Sequence, residues 1–520
     1  MTLSIQCEHC QKKVSVEAEQ YLEPLKVWIQ KYTCGHSVLV HQLEVVADAN
    51  YHALDGSKKE CYEYQVTGVK KVEETNYNCL IADAMGLGKT IQAIVALRNA
   101  PPELLPAIIV VKSATIYQWV REFREWGSLD DLGILPIFSK DSPFIPGFKA
   151  YLVSMDLINR QDKAGNWIIV DKLLVLNPKF IIVDECHSFK DRDSKRTHAL
   201  VRLIKNGGIK HKLFLSGTPI KNRAGEYFTV LNLLAPDHFP SWTRFASRWL
   251  EANEKGVPTR IRPYALEDFK KLTSRWIIRR EKSEVLTNLP EFSRQDEYLD
   301  TNHEWLKTSY NRELSLFDNA LNSEEGLDGM AILAWLNRLR QITEQAKVNA
   351  TIEYVEEFLE SCDDEKIAIG VHHKAVRDAL YYSLEQKGYR PLKLSGEDSS
   401  ERKDWIQQEF SQPHRRVLVI NMLSGGVGLN LQCCAHTLII ARQWSSADEE
   451  QYESRFHRNG QEKPVVAKYM HIKGTIDEFF AEMVAEKRQI FNETVSDWEF
   501  GSDYKSLKQL SERVLQGRLM

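Results

Sequence analysis

LIADAMGLGKT, residues 80–90, runs directly into the helical pattern IQAIVALRNA, and it is the stretch from which the fold follows. An apolar run gives way to Gly86, Gly88, Lys89 and Thr90 where a buried strand should turn into a helix. Such a turn exposes backbone N–H groups at a helix N-terminus, where the dipole favours an anion, and a phosphate is the economical ligand. The pattern Gly-x-x-x-x-Gly-Lys-Ser/Thr is met except at its first glycine, where Asp83 stands. The working part remains: Gly86 and Gly88 let the backbone close on phosphate oxygens, Lys89 suits the β- and γ-phosphates, and Thr90 suits Mg²⁺.

Working outward, β-branched runs alternate with helical patterns: NCLIAD, PAIIVVK, AYLVS, FIIVDE and KLFLSG before residue 240, then KIAIGVHH, PLKLSG, RVLVINM and HTLIIARQW after 365. That alternation predicts an α/β protein with two parallel-sheet lobes covered by helices. The segment from about 241 to 345 carries helical patterns and few strand signals, so a helical insertion and linker is expected there. GTIDEFFAEMVAEKRQIFNETV has apolar residues at helical spacing and predicts a long helix that packs back. The expected organisation is a small module over 1–50, a first lobe over 51–285, a linker over 286–345, a second lobe over 346–495 and a helical tail over 496–520.

Two carboxylates, Asp184 and Glu185, follow the apolar run FIIV. They fall at the C-terminal end of a predicted parallel strand, where open α/β sheets bind ligands. Asp184 suits Mg²⁺, and Glu185 suits the group that orients an attacking water. Arg455 and Arg458, three apart on a predicted helix, share one face. They are candidates to stabilise the charge that a phosphoryl transition state spreads over its oxygens. Taken singly, a glycine turn, an acidic strand end and a charged helix face each have ordinary structural meanings; their order along one chain favours chemistry.

The chain has 520 residues, enough for roughly three domains. Its 68 Lys+Arg against 72 Asp+Glu give a net charge of −4, so a polyanion partner must meet a local basic cleft. The start lacks the pattern of a signal peptide and no apolar run approaches a membrane span, so an intracellular location, cytoplasmic or nucleoid-associated, is expected. Nine cysteines in such a chain are expected to be reduced.

MGLGKT, DECH, SGTPIKN (216–222), SGGVGLNL (424–431) and QYESRFHRNGQ (451–461) occur in the order of superfamily 2 helicase motifs. RWIIRREKSEVLTNLP (275–290), LNRLRQI (336–342) and QWSSADEEQ (443–451) narrow this, and the chain resembles the Swi/Snf remodeler-type ATPases over about residues 60–490. The resemblance implies two RecA-like lobes with ATP between them and translocation on double-stranded DNA, usually without strand separation. By position, Gln65 would read the adenine edge, and Asp83, Ala84, Met85, Gly86, Leu87, Gly88, Lys89, Thr90 and Gln451 would line the nucleotide site. Ser216 and Thr218 would link nucleotide state to lobe closure, and a coupling loop would carry Gly425, Gly426 and Gly428. The family usually has glutamate at Ala84, serine at Asn421 and lysine at Leu423, and often proline at Lys112.

A translocase must hold any sequence, so its contacts should go to phosphates. Lys112, Ser113, Ser154, His372, His373 and Lys374 at strand ends are the candidates, and Arg279 with Arg280 either lies near the nucleotide or braces the linker. Trp242, Trp249, Trp276 and Trp335 sit in helical patterns and read as core. At the N-terminus Cys7, Cys10, Cys34 and His36 fit a structural Zn²⁺ site, with His9 or His41 as substitutes. A monomeric, DNA-dependent ATPase acting on duplex DNA, and on proteins bound to it, is the leading expectation. A strand-separating DNA or RNA helicase and a non-hydrolysing nucleotide-binding scaffold are the alternatives.

Overall fold

The computed structural model describes residues 60–520 except 127–132, 143, 218–224, 226, 253–257, 287, 301–302, 322–328, 423–428, 445, 495–513 and 516–520; of residues 1–59 it describes only the backbone of five strands. Among these, β1 (Ile5–Gln6) pairs antiparallel with β2 (Lys13–Val14). The strands β3 (Val16–Leu22), β4 (Val27–Tyr32) and β5 (Ser37–Val40) form an antiparallel sheet. The zinc candidates Cys7, Cys10, Cys34 and His36, and their substitutes His9 and His41, lie outside the described residues. Among the described residues no group of three or more His, Cys, Asp or Glu side chains could hold a metal ion.

The first sheet collects β6 (Asn78–Ile81), β7 (Ala107–Val111), β8 (Ile134–Ile137), β9 (Ala150–Ser154), β10 (Phe180–Val183) and β11 (His211–Leu215). After a hairpin of β12 (Leu250–Ala252) and β13 (Pro258–Ile261), β14 (Ile277–Ile278) completes it, in the order β14-β6-β11-β10-β7-β9-β8. The interior strand β7, AIIVV, is fully buried along its length, as a parallel strand covered on both faces must be. β8, which contains Pro136, stands at the edge, where a missing N–H costs no ladder bond.

The second sheet holds β15 (Phe292–Leu299), β16 (Ile367–Val371), β17 (Leu392–Leu394), β18 (Val417–Asn421), β19 (His436–Ile439) and β20 (Val465–Ile472). Its order is β15-β20-β19-β16-β18-β17, and every pairing is parallel. β15 is a departure from the helical character expected of 286–345. FSRQDEYL has no apolar alternation because the strand sits at an edge with β20 as its single neighbour and leaves its charged residues exposed. Helices Glu304–Leu321 and Gly329–Ala346 do follow, packed through Leu306, Tyr310, Leu314 and Leu336. The predicted C-terminal helix, Ile476–Thr494, places Ile476 and Phe480 in the same core, and Val514 joins them.

Trp249 and Trp335 are buried core, as their pattern suggested, whereas Trp242 and Trp276 are half-buried and pack at its margin. Trp335 stacks on Phe317 with centroids 3.6 Å apart, Trp249 packs on Phe269, and Trp276 and Trp242 lie against Phe239 and Phe228. Packing divides the chain into two compact units. One takes the described residues up to Cys79, in Lys89–Glu185 and in Asp193–Leu215; the other takes Leu80–Gly88, Cys186–Arg192 and the described residues from Ser216 onward. Among the described residues no helix is long and apolar enough to cross a membrane.

Candidate active site

The strand β6 ends at Ile81, but its neighbour continues to guide the chain: Ala82 N donates to Ile278 O at 2.7 Å and Ala84 N to Arg280 O at 2.9 Å. Asp83, which stands in place of the first motif glycine, is fully buried. Arg280 explains it. The guanidinium forks onto the carboxylate, Nε to Oδ1 at 3.0 Å and NH2 to Oδ2 at 2.5 Å, and pins the loop to the chain that leaves β14. Of the two predicted placements for the arginine pair, Arg280 is therefore at the phosphate loop, while Arg279 pairs with Glu281 at 2.9 Å. Breaking a buried ion pair by removing one partner costs about 3–5 kcal/mol. An Arg280→Gln variant should lose stability of that order in urea unfolding and show a raised KM for ATP; an unchanged unfolding midpoint would remove Arg280 as a strut.

Beyond Asp83 the chain turns through Gly86 at φ +89° and Gly88 at φ +71°, conformations that glycine adopts without the cost other residues meet. The helix Lys89–Asn99 then begins at the motif lysine. Positive-φ glycines leading into a helix N-terminus fit a phosphate cradle. Met85 and Ala84 line a cleft of about 700 Å³ together with Gly217, Arg279 and Lys282. Gln65 is 1% exposed near the start of the helix Glu63–Glu74, and its Oε1 accepts a hydrogen bond from Tyr62 N at 3.0 Å.

At the end of β10, Asp184 accepts a hydrogen bond from Trp119 Nε1 at 3.0 Å and another, through Oδ1, from Glu185 N at 2.8 Å. Burial, followed by the neighbouring Glu185 carboxylate, raises the Asp184 pKa to about 6, against the opposing pull of Trp119 and Lys89. Glu185 takes φ +48°, a left-handed conformation costly for a residue with a side chain and characteristic of sites where the surroundings impose it. Trp119 was not foreseen, although it lies only a few residues past the strand PAIIVVK; its indole fixes the carboxylate that the motif supplies. Two residues beyond Glu185, the His187 Nδ1 lies 3.1 Å from Ser216 Oγ, and Ser216 N donates to Ile81 O at 3.1 Å. The DECH and SGT motifs are thereby joined through a side-chain contact between His187 and Ser216. Thr218 lies outside the described residues.

Arg455 and Arg458 do not share a helix. The helix Ser446–Glu453 stops before them, and they occupy turns closed by hydrogen bonds from Arg455 N to Tyr452 O and from Gln461 N to Arg458 O, with Gln451 inside the helix. Arg455 is 5% exposed. The turn lies against the phosphate loop: a Cβ built on Gly86 would meet Arg458 Cβ at 3.1 Å and Cα at 3.6 Å. Lys282 Nζ donates to His457 O at 2.5 Å from the same side. Glycine is thus required at 86 twice over, by its φ and by the approach of Arg458.

The candidate polymer contacts are mostly engaged within the protein. Ser113 Oγ donates to Asp156 at 2.8 Å, Ser154 Oγ caps Leu157 N at 3.1 Å, and Lys374 pairs with Glu397. His373 pairs through Nδ1 with the buried Glu344, which also accepts from His372 N at 2.6 Å. Lys112 leads into the turn Ser113–Thr115. Asn421, where the family usually has serine, accepts from Arg377 NH1 and donates to His372 O, each at 3.0 Å. Gly425, Gly426, Gly428 and Leu423 lie outside the described residues.

Burial, then the neighbouring Arg340 and His373, lowers the His372 pKa to about 3. A histidine held neutral in the folded state makes the unfolded state the better proton binder below its ordinary pKa. Stability should therefore fall as pH drops from about 6.5 toward 3, by up to about 1.4 kcal/mol per pH unit for this one group. Chemical unfolding of a His372→Gln variant between pH 7 and pH 5 should show a shallower loss than the parent; identical slopes would exclude His372 as the source.

One parallel sheet bearing a glycine turn and strand-end carboxylates, and a second bearing an arginine turn that reaches that glycine, define the two-sheet core of a helicase-type ATPase. The chain belongs to the SNF2-related family. The model of the SNF2-related domain matches residues 64–348, and that of the helicase conserved C-terminal domain matches 349–460. It is 27% identical over 467 residues to the DNA annealing helicase and endonuclease ZRANB3 of Mus musculus, covering 88% of this chain and 43% of that protein. It is 29% identical over 436 residues to the SWI/SNF-related matrix-associated actin-dependent regulator of chromatin subfamily A-like protein 1 of Xenopus laevis, covering 83% and 43%. The chain spans less than half the length of these two relatives. A solved Sulfolobus solfataricus SWI2/SNF2 ATPase core in complex with dsDNA aligns over 89% of this chain and 98% of that one at 23% identity, with a TM-score of 0.41.

Proposed function

We propose that this chain is a DNA-dependent ATPase that couples ATP hydrolysis to movement along double-stranded DNA through backbone contacts. The observation that carries the reading is the seating of the Arg458 turn against Gly86 of the phosphate loop. Catalysis of phosphoryl transfer is mostly positioning and charge stabilisation, so an arginine that arrives at the phosphates from a distant part of the chain makes hydrolysis depend on conformation. Gly86, Gly88 and the amides leading into the Lys89 helix hold the phosphates, and Lys89 neutralises them. Glu185 orients the attacking water and takes its proton, while Asp184, steadied by Trp119, and Thr90 are the residues that would hold Mg²⁺. That ion, when bound, supplies positive charge to the phosphate oxygens and favours the ionised form of Asp184. Gln65 reads the adenine edge, and the His187–Ser216 bond relays the state of the carboxylate strand toward the SGT motif.

DNA rather than RNA is favoured by the mouse relative, which is named a DNA annealing helicase. An intracellular monomer with one structural Zn²⁺ on Cys7, Cys10, Cys34 and His36, acting on DNA and on proteins bound to it, completes the proposal. The test is ATP turnover measured without polymer and with single-stranded DNA, duplex DNA and RNA. Duplex DNA should stimulate turnover most; stimulation by RNA alone would overturn the assignment.

A further inference from the structure

The chain that leaves β14 runs alongside the arginine turn and meets it at three levels. Lys282 holds the His457 carbonyl, as described. The His457 ring stacks on Phe292 with centroids 5.0 Å apart and 26° between planes, and its Nε2 lies 2.8 Å from Pro290 O. Arg294, on β15, forks onto Glu453, with Nε to Oε1 at 2.8 Å and NH2 to Oε2 at 2.7 Å. Tyr469 on β20 donates to the same Oε1 at 2.6 Å, and the Arg294 guanidinium lies over the Phe292 ring at 4.8 Å.

Glu453 is 3% exposed and is the last residue of its helix. Its carbonyl accepts from both Phe456 N and His457 N at 3.0 Å, so the residue whose carboxylate is fixed by two strands also launches the turn that carries Arg455 and Arg458. The far side of that turn is tied by Leu431 N to Arg455 O at 3.0 Å. Glu453 is buried while the Arg294 side chain is 35% exposed, and an apolar pair of similar volume would stabilise the fold at least as well as such an ion pair. What a bidentate guanidinium–carboxylate fork adds is direction, because two parallel hydrogen bonds set both distance and rotation.

We propose that Arg294 and Glu453 are positioning residues for ATP hydrolysis, coupling β15, the strand that receives the linker, to the orientation of Arg455 and Arg458. The proposal rests on the ATPase reading above. Both side chains border the cleft that Ala84 and Met85 line, and each is committed to the other through the fork, so they act through the turn. The linker strand and the arginines then move as one body, and loosening the fork lets the arginines stray without changing how ATP or DNA is bound.

The experiment is steady-state ATPase kinetics, DNA-binding affinity and thermal melting for Arg294→Met, Arg294→Lys, Glu453→Gln and the Arg294→Met/Glu453→Gln double variant. Each single variant should lower kcat about tenfold or more, with KM for ATP and DNA affinity within about twofold of the parent. The double variant should be no worse than the worse single one, the mark of residues acting as a unit. Arg294→Lys keeps the charge but not the fork; it should keep its melting temperature yet lose kcat. Full kcat in Arg294→Lys, unchanged kcat in Arg294→Met, or losses that multiply in the double variant would each overturn the proposal. A parent protein with no ATPase activity would instead overturn the functional reading.

Discussion

A Glu185→Gln variant is expected to bind ATP with unchanged affinity and to hydrolyse it about 10²–10⁴-fold more slowly, the span that a positioned general base contributes. The amide has the shape of the carboxylate but cannot take a proton. Glu185 is also held in a left-handed conformation immediately after Asp184, at the end of β10, and an isosteric amide is the substitution that disturbs that placement least. The substitution therefore isolates chemistry from placement. Binding of a fluorescent ATP analogue and phosphate release in single turnover check both halves. Normal turnover would remove Glu185 from the mechanism and leave the strained backbone without a role.

The second large effect is expected from Arg458→Ala. An arginine delivered to a transferring phosphoryl group is worth about 10³-fold or more in kcat. The backbone of residue 458 already abuts Gly86, so truncating the side chain removes its charge while the turn keeps its seat. The KM for ATP should change little and polymer stimulation should disappear, because the group that makes turnover depend on conformation is gone. Arg455→Ala, by contrast, removes a side chain that is 5% exposed and should also lower the melting temperature. Equal kcat in Arg458→Ala and the parent would show that the approach to Gly86 is packing alone.

Most strands of both sheets were legible because buried parallel strands leave unbroken apolar runs such as AIIVV and VLVI, bounded by turn residues. The carboxylates and glycines stood out because phosphate chemistry restricts residue type at fixed offsets, and the structure places them at the end of β10 and at positive-φ turns. What escaped is informative. β15 reads as a charged segment since an edge strand needs few apolar residues. Asp83 looked like a defect in the phosphate motif, yet its partner Arg280 lies 197 residues away, a separation no local pattern reports. Trp119 and the Arg294–Glu453 fork escaped for the same reason: each is a side chain from one element that steadies a reactive group on another. The arginines were expected on a helix from their spacing alone, but the helix ends at Glu453 and the chain continues through turns, with Arg455 N bonded to Tyr452 O and Phe456 N and His457 N both bonded to Glu453 O.

The most direct test of the central claim is displacement of a third strand from a DNA triplex that carries a duplex extension, followed with the purified chain and ATP. Movement along the duplex predicts that the third strand is released only with hydrolysable ATP, and that release is abolished in Glu185→Gln. A third strand that stays bound while duplex DNA stimulates ATP turnover, or that is released equally without ATP, would contradict the coupling of hydrolysis to movement.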